Sequence, residues 1–102
     1  MCGAPAQEAV LDETLPASVD PATATVIQGR VLRAGEPVPA AYVRLLDRSG
    51  DFTAEVISSA TGAFRFFAAP GRWTVRALAP GGTGQQEVEA KIGFTTAEIT
   101  LA

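Results

Sequence analysis

The stretch that decides the fold is Ala60–Ala77, which reads ATGAFRFFAAPGRWTVRA. It contains two turn signals, Thr61-Gly62 and Pro70-Gly71, and each is followed by a run in which apolar residues alternate with Arg or Thr. Side chains alternate between the two faces of a strand, so the apolar residues of each run share one face. The stretch therefore predicts two half-buried β-strands joined by a tight turn.

The same pattern extends outward from this stretch in both directions. It predicts seven strands, near residues 25–33, 40–47, 53–60, 64–69, 72–79, 85–92 and 96–101. Short strands at about ten-residue spacing, with a turn signal in each gap, are typical of a sandwich or barrel. We therefore predict an all-β sandwich over residues 25–102. Residues 1–24 hold three prolines and few large aliphatic residues, so we expect them to form an N-terminal arm, mobile or loosely docked.

Strand alternation also predicts which side chains face the interior. The inward set is Ile27, Gly29, Val31, Val43, Leu45, Val56, Phe64, Phe66, Trp73, Val75, Ala77, Val88, Ile92, Ile99 and Leu101. Four other apolar residues fall out of register and are assigned to outer faces, namely Tyr42, Leu46, Phe67 and Leu78. Either the N-terminal arm covers them, another chain does, or the assumed register is wrong.

Arginines also fall on outer positions of the central strands, at Arg65, Arg72 and Arg76. Such a group is either a solvated face or a contact for an anion or an acidic partner. Together with the four outer apolar residues, they are the candidates for a surface that binds a partner protein or a second copy of this chain.

Composition limits the class of protein. The chain has 102 residues, of which 47% are hydrophobic and 19% charged, so one globular domain is expected. No apolar run is long enough for a transmembrane helix, and the first residues do not resemble a signal peptide, so we expect a cytoplasmic location and no membrane partner. The net charge is −3 and there is no dense basic stripe, which argues against nucleic-acid binding.

The chain contains no histidine and one cysteine. It therefore lacks the usual general base, the Ser-His and Cys-His nucleophile pairs and the commonest metal ligand. A single cysteine also excludes internal disulfides and cysteine-cluster metal sites. We expect a protein without catalytic residues, metal or cofactor. The one soft nucleophile, Cys2, is either an incidental terminal residue or a thiol on an accessible end that can exchange sulfur.

Four segments resemble the carboxypeptidase regulatory-like domain: VIQGRV at 26–31, EPVPAAYVRL at 36–45, TGAFRF at 61–66 and PGRWTV at 70–75. The resemblance covers about residues 25–102 and implies a seven-stranded, transthyretin-like (prealbumin-type) sandwich in a group of mostly non-catalytic modules. Enzymes of that fold that hydrolyse hydroxyisourate or cleave aromatic rings at iron use histidines. This chain has no histidine, so neither activity is expected.

A second resemblance spans nearly the whole chain. The segments MCGAP at 1–5, FTAEV at 52–56 and SATGAFRFFAAPG at 59–71 are similar to the SseC-like family of small actinobacterial proteins encoded beside thiosulfate sulfurtransferase. This resemblance implies a non-catalytic accessory protein of sulfur metabolism, with a thiosulfate sulfurtransferase as partner and Cys2 as candidate acceptor of sulfane sulfur. The alternative is a structural protein–protein interaction module with no sulfur chemistry.

Overall fold

The computed structural model describes residues 17–102, and the regular secondary structure in this range consists of strands. In chain order these are β1 (Thr25–Arg33), β2 (Glu36–Pro37), β3 (Tyr42–Leu46), β4 (Phe52–Ile57), β5 (Ala63–Phe67), β6 (Gly71–Ala79), β7 (Gly82–Ala90) and β8 (Gly93–Thr100). The predicted all-β sandwich is confirmed. Over the same range, no helix has the length and apolar character needed to cross a membrane.

The strand count is eight rather than seven because of a short hairpin after β1. The turn at Ala34 and Gly35 has positive φ at both residues (51° and 83°), which is the geometry of a tight two-residue hairpin. It turns the chain back so that Pro37 pairs with Leu32 and Glu36 with Arg33. The seven predicted strands leave residues 34–39 as a turn, so they do not include β2.

The strands form two sheets. The antiparallel sheet has the order β4-β3-β6-β7. In the second, the mixed sheet, β1 is central: β5 and β2 pair with it in antiparallel fashion, and β8 pairs with it in parallel along the other edge. The chain therefore passes from the antiparallel sheet to the mixed sheet at β5, returns for β6 and β7, and crosses again at β8.

A glycine-rich segment in the gap between the predicted strands 72–79 and 85–92 is part of β7. Gly82 and Gly84 lie within the strand, and a Cβ at Gly84 would overlap the backbone carbonyl oxygen of Thr100 on β8. Missing side chains here let the edges of the two sheets approach closely. The edges are joined by a hydrogen bond from the Ala102 amide to the Thr83 carbonyl (3.1 Å). Glycine marks a close backbone contact in this segment.

The core lies between the two sheets and matches the predicted inward set at most positions. Its buried members include Ile27, Val31, Val43, Leu45, Val56, Phe64, Phe66, Val75, Ala77, Val88, Ile99 and Leu101. Two predicted members differ. The assignment of Ile92 to the interior is wrong. This residue is 60% exposed because it lies in the turn after β7, where the strand alternation has ended. Trp73 is partly buried against the core, and its indole N–H donates to the Ala69 carbonyl at 2.8 Å.

A buried serine positions the start of β3. The Ser58 hydroxyl accepts a hydrogen bond from the Ala41 amide and donates one to the Val38 carbonyl, both at 2.8 Å. The Ser58 amide in turn donates to the Ala41 carbonyl at 2.9 Å. These bonds hold the connection into β3 against the end of β4, so the position of Tyr42, the next residue, is set by a buried polar contact.

Candidate functional site

Two of the predicted partner-surface residues lie side by side on the outer face of the antiparallel sheet. Tyr42 on β3 pairs across the ladder with Leu78 on β6. On its other side Tyr42 pairs with Ile57 on β4. The Tyr42 side chain is 50% exposed, and the other two are half-buried. Since side chains of directly paired residues lie on the same face, these three form an apolar row across three adjacent strands.

Ile57 was missed in the sequence interpretation. Its position two residues after Glu55 places it on the same face as that carboxylate, which marks an outward position. The predicted strand 53–60 already places Glu55 and Ile57 on the same face. An isoleucine near the end of a strand is, however, equally well explained as a core residue.

The next row of the same face is polar. Its members, in order across the four strands, are Glu55, Arg44, Arg76 and Gln85. Arg44 forms an ion pair with Glu55, with 2.7 Å between Nε and Oε2. Arg76 instead donates two hydrogen bonds to the neutral side-chain oxygen of Gln85, at 2.9 and 3.1 Å.

This arrangement places two like charges side by side. Arg44 and Arg76 are direct cross-strand partners, a placement that opposes strand pairing. Within the row Arg44 is paired with a carboxylate and Arg76 is not, and Glu87 lies in the next row of the same face, where it pairs with Thr74. An apolar row next to an arginine pair is suited to bind a protein surface that combines apolar and acidic groups.

Arg72 lies on the same face at the far end of β6. Its Nε is 3.8 Å from Oε1 of Glu89 on β7, and both side chains are more than half exposed. An ion pair of this kind contributes little to stability. Arg72 and Arg76 therefore share one outer face, as predicted.

Leu46 is on the outer face, as alternation predicts, but it does not belong to an exposed patch. It is only 9% exposed, although its neighbour Leu45 is also buried. Its register is regular, since it pairs with Thr74 on β6, directly after the pair formed by Leu45 and Val75. The β-bulge at this end places the extra residue, Thr53, on β4, because Leu45 pairs with Ala54 and Leu46 with Phe52. The exposed apolar side chain at this end of the sheet is Phe52, at 62%.

Phe67 and Arg65 lie on the other sheet, so the predicted patch of four apolar residues and the cluster of three arginines are both wrong. Both residues belong to β5, which pairs with β1 of the mixed sheet. Arg65 donates from Nε to the Gln28 side-chain oxygen at 2.8 Å, and its guanidinium carbon is 5.8 Å from the centre of the Phe94 ring. Strand alternation shows which side of a strand a residue occupies, but not which sheet the strand joins.

Cys2, the candidate sulfur acceptor, lies outside the described residues, as does the arm up to residue 16. The rest of the arm, residues 17–24, consists of turns, and the Ala24 carbonyl accepts a hydrogen bond from the Gly93 amide at 2.8 Å. Within residues 17–102, no group of three or more His, Cys, Asp or Glu is arranged to hold a metal ion.

Comparison with solved structures supports the fold. A DUF3823 family protein from Parabacteroides merdae matches with a TM-score of 0.62 and 18% identity, covering 79% of this chain and 47% of that one. Catechol 1,2-dioxygenase from Pseudomonas arvilla C-1 matches with a TM-score of 0.59 and 13% identity, covering 98% of this chain and 59% of that one. The chain thus spans about half the length of these structures. At such identities the likeness concerns the fold alone.

Closer relatives are mycobacterial. The uncharacterized protein Rv0814c of Mycobacterium tuberculosis is 53% identical over 103 residues, covering 90% of this chain and 99% of the relative. An uncharacterized protein of Mycolicibacterium smegmatis is 55% identical over 89 residues, covering 76% of this chain and 99% of the relative. The family model described as "Protein of unknown function (DUF1416)" matches residues 2–101. The chain therefore belongs to the DUF1416 family.

Proposed function

We propose that this protein is a non-catalytic binding module that docks a partner protein on the outer face of its antiparallel sheet. The observation that carries the proposal is the apolar row of Ile57, Tyr42 and Leu78, which lies beside the arginine pair. Tyrosine and arginine are enriched among the residues that dominate binding energies at protein interfaces. Tyr42 and Arg76 lie on β3 and β6, the two central strands of the four-stranded sheet, so strands on both sides restrain their backbones.

The chemistry of this face indicates the kind of partner surface it fits. The exposed ring of Tyr42 and the side chain of Leu78 favour apolar groups, and Arg76 favours a carboxylate. The two candidate partners are a sulfurtransferase and a second copy of this chain. The resemblance to the SseC-like family favours the first, a thiosulfate sulfurtransferase, which would make the protein an accessory factor of sulfur metabolism.

Tyr42→Asp tests this docking face. The change places a carboxylate in the apolar row and should weaken binding to purified thiosulfate sulfurtransferase of the same organism at least about tenfold. Phe67→Asp is the matched control, because Phe67 is also 50% exposed but lies on the other sheet. The affinity of the Phe67→Asp variant for the sulfurtransferase should equal that of the wild type. Affinities are measured by calorimetry, and self-association is followed by light scattering of the same three proteins.

Equal binding by the Tyr42→Asp variant and the wild type would contradict the proposal, as would a wild-type chain that binds neither the enzyme nor itself. If the wild type self-associates and Tyr42→Asp does not, the docking face stands and the partner is a second copy. If Phe67→Asp is the variant that loses binding, the docking surface is on the mixed sheet and the proposed face is wrong.

The more specific form of this function assigns chemistry to Cys2. Its thiolate would attack the outer sulfur of a persulfide on the sulfurtransferase, forming a new S–S bond as the enzyme's S–S bond breaks. The enzyme cysteine leaves as a thiolate, and the accepted sulfur keeps its proton as the persulfide of Cys2. No external oxidant or reductant is consumed. What supports this form is the resemblance at residues 1–5, together with the absence of any other cysteine in the chain.

Intact-mass spectrometry distinguishes this relay from docking alone. After incubation with thiosulfate and its sulfurtransferase, the wild type should gain the mass of one sulfur atom, and Cys2→Ser should gain none. The adduct should disappear on treatment with a thiol reductant. An unmodified wild type, or an equal adduct on Cys2→Ser, would contradict sulfur acceptance by Cys2 while leaving the docking proposal to its own test.

A further inference from the structure

The outer face of the mixed sheet carries an apolar row of its own. Val26 on β1 pairs with Phe67 on β5 on one side and with Phe94 on β8 on the other. Residues that pair directly point to the same side of a sheet, and the next residue of β1, Ile27, belongs to the core. Val26, Phe67 and Phe94 therefore form a row that faces away from the core, which we call the second apolar row.

The middle of this face is covered, whereas the middle of the docking face is open. Val26 and Gln28 are successive outward residues of β1, the central strand of the mixed sheet, and they are only 0% and 8% exposed. The corresponding outward residues of β3, a central strand of the antiparallel sheet, are Tyr42 and Arg44, and both are exposed. Val26 also does not belong to the cluster of core residues between the sheets. Its complete burial therefore calls for cover from outside the sandwich.

The chain reaches the described structure beside the second apolar row. In residues 17–24, the Ala24 carbonyl accepts a hydrogen bond from the amide of Gly93, the first residue of β8, at 2.8 Å. Val19 lines the same open groove at the end of the sandwich as Phe67 does. The sixteen residues that precede position 17 are therefore joined to the sandwich next to this row.

The composition of residues 1–16 is complementary to this face. They contain three carboxylates and no Lys or Arg. The carboxylates stand among aliphatic side chains in one short stretch: Glu8, Val10, Leu11, Asp12, Glu13 and Leu15. The outward residues of β1, β5 and β8 include two arginines, Arg30 and Arg65, and one carboxylate, Glu98. An acidic segment with aliphatic residues thus matches a face that combines an apolar row with arginines.

From the covered outward residues of β1, the point where the chain joins the sandwich and this complementarity, we propose that residues 1–16 dock on the outer face of the mixed sheet. The aliphatic side chains cover the second apolar row, and the carboxylates lie beside Arg30 and Arg65. The rows of Val26 and Arg30 are four residues apart, or about 14 Å, a distance that sixteen residues span easily. The docking face lies on the other sheet, so this contact is independent of the proposed partner binding.

Cys2 allows the contact to be located in the full chain. It is the only cysteine, so a nitroxide spin label can be attached there without any substitution. Amide NMR signals on the outer face of the mixed sheet, such as those of Phe67 and Phe94, should be attenuated more than those of Arg44 and Arg76 on the antiparallel sheet. A mixture of isotope-labelled Cys2→Ser and spin-labelled chain without the isotope should show no attenuation, because the contact is within one chain.

Phe67→Asp tests the second apolar row. It places a carboxylate where the acidic segment docks, so cleavage after Glu8 and Glu13 by a glutamate-specific protease should be at least about fivefold faster than in the wild type, since cleavage follows the undocked population. Tyr42→Asp is the matched control, because Tyr42 is also 50% exposed but lies on the other sheet. The cleavage rate of the control should equal that of the wild type.

A variant of the segment itself separates undocking from loss of the fold. The triple change Glu8→Gln, Asp12→Asn and Glu13→Gln leaves every residue of the sandwich in place and should reduce the attenuation on the mixed sheet. The proposal is overturned if the attenuation falls equally on both sheets, if the triple variant keeps the wild-type pattern, or if Phe67→Asp is cleaved no faster than Tyr42→Asp. Attenuation in the mixed sample would also overturn it, because a second copy would then occupy the face.

Discussion

Replacement of Gly29 with alanine is expected to abolish stable folding. Gly29 lies in the middle of β1, between Phe64 on β5 and Ala97 on β8. A Cβ at this position would overlap the backbone carbonyl oxygen of Ala97 and lie 2.6 Å from its carbonyl carbon. Backbone atoms of a central ladder cannot move aside as the end of a flexible side chain can, so the two parallel strands would have to separate.

The expected loss for Gly29→Ala is more than about 4 kcal/mol, which puts the change among the most destabilising single substitutions. A domain of this size has only about 5–15 kcal/mol of stability in total. The measurement is urea unfolding followed by far-ultraviolet circular dichroism. We expect either no folded baseline or a midpoint shifted strongly downward.

Gly50→Ala is the matched control for this prediction. Gly50 has a φ of +84° in the turn between β3 and β4, and a Cβ there would meet no atom within 4 Å. Alanine at this position bears only the penalty of left-handed backbone, about 1–2 kcal/mol. If Gly29→Ala were no more destabilising than Gly50→Ala, the close approach of β1 and β8 would be wrong.

The second large effect is expected from Phe64→Ala. Phe64 on β5 is completely buried between the sheets, and its ring centre is 6.1 Å from that of Phe66. Removal of the ring loses its transfer free energy and leaves a cavity that the surrounding strands only partly close. The expected destabilisation is about 3–5 kcal/mol. This loss is obtained from the shift of the urea midpoint, with the m value (the slope of the free energy of unfolding against urea concentration) the same for both proteins.

Phe67→Ala on the same strand is the control. Phe67 is 50% exposed on the outer face of the mixed sheet, so its truncation should cost about 1 kcal/mol or less. Equal losses for the two variants would mean that the inward face of β5 has been assigned incorrectly.

The candidate docking face was predictable only in part. Tyr42 and Leu78 were assigned to outer positions from alternation alone, and they are cross-strand partners in the structure. Phe67 is grouped with them by the same alternation, on the assumption that strands that follow one another in the sequence lie side by side. The structure separates them, because β5 and β6 are joined by a turn but belong to different sheets.

By itself, the amino-acid sequence determined that residues 25–102 form short strands with one apolar face each, and it placed most of the core correctly. Those properties are local: side-chain alternation repeats every two residues, and glycine and proline mark the turns between strands. Only the tertiary structure decided which strands share a sheet, that β8 pairs in parallel with β1, and that β4 bulges opposite the end of β3. These features depend on backbone hydrogen bonds between distant segments, and every residue type except proline offers the same backbone groups for such bonds.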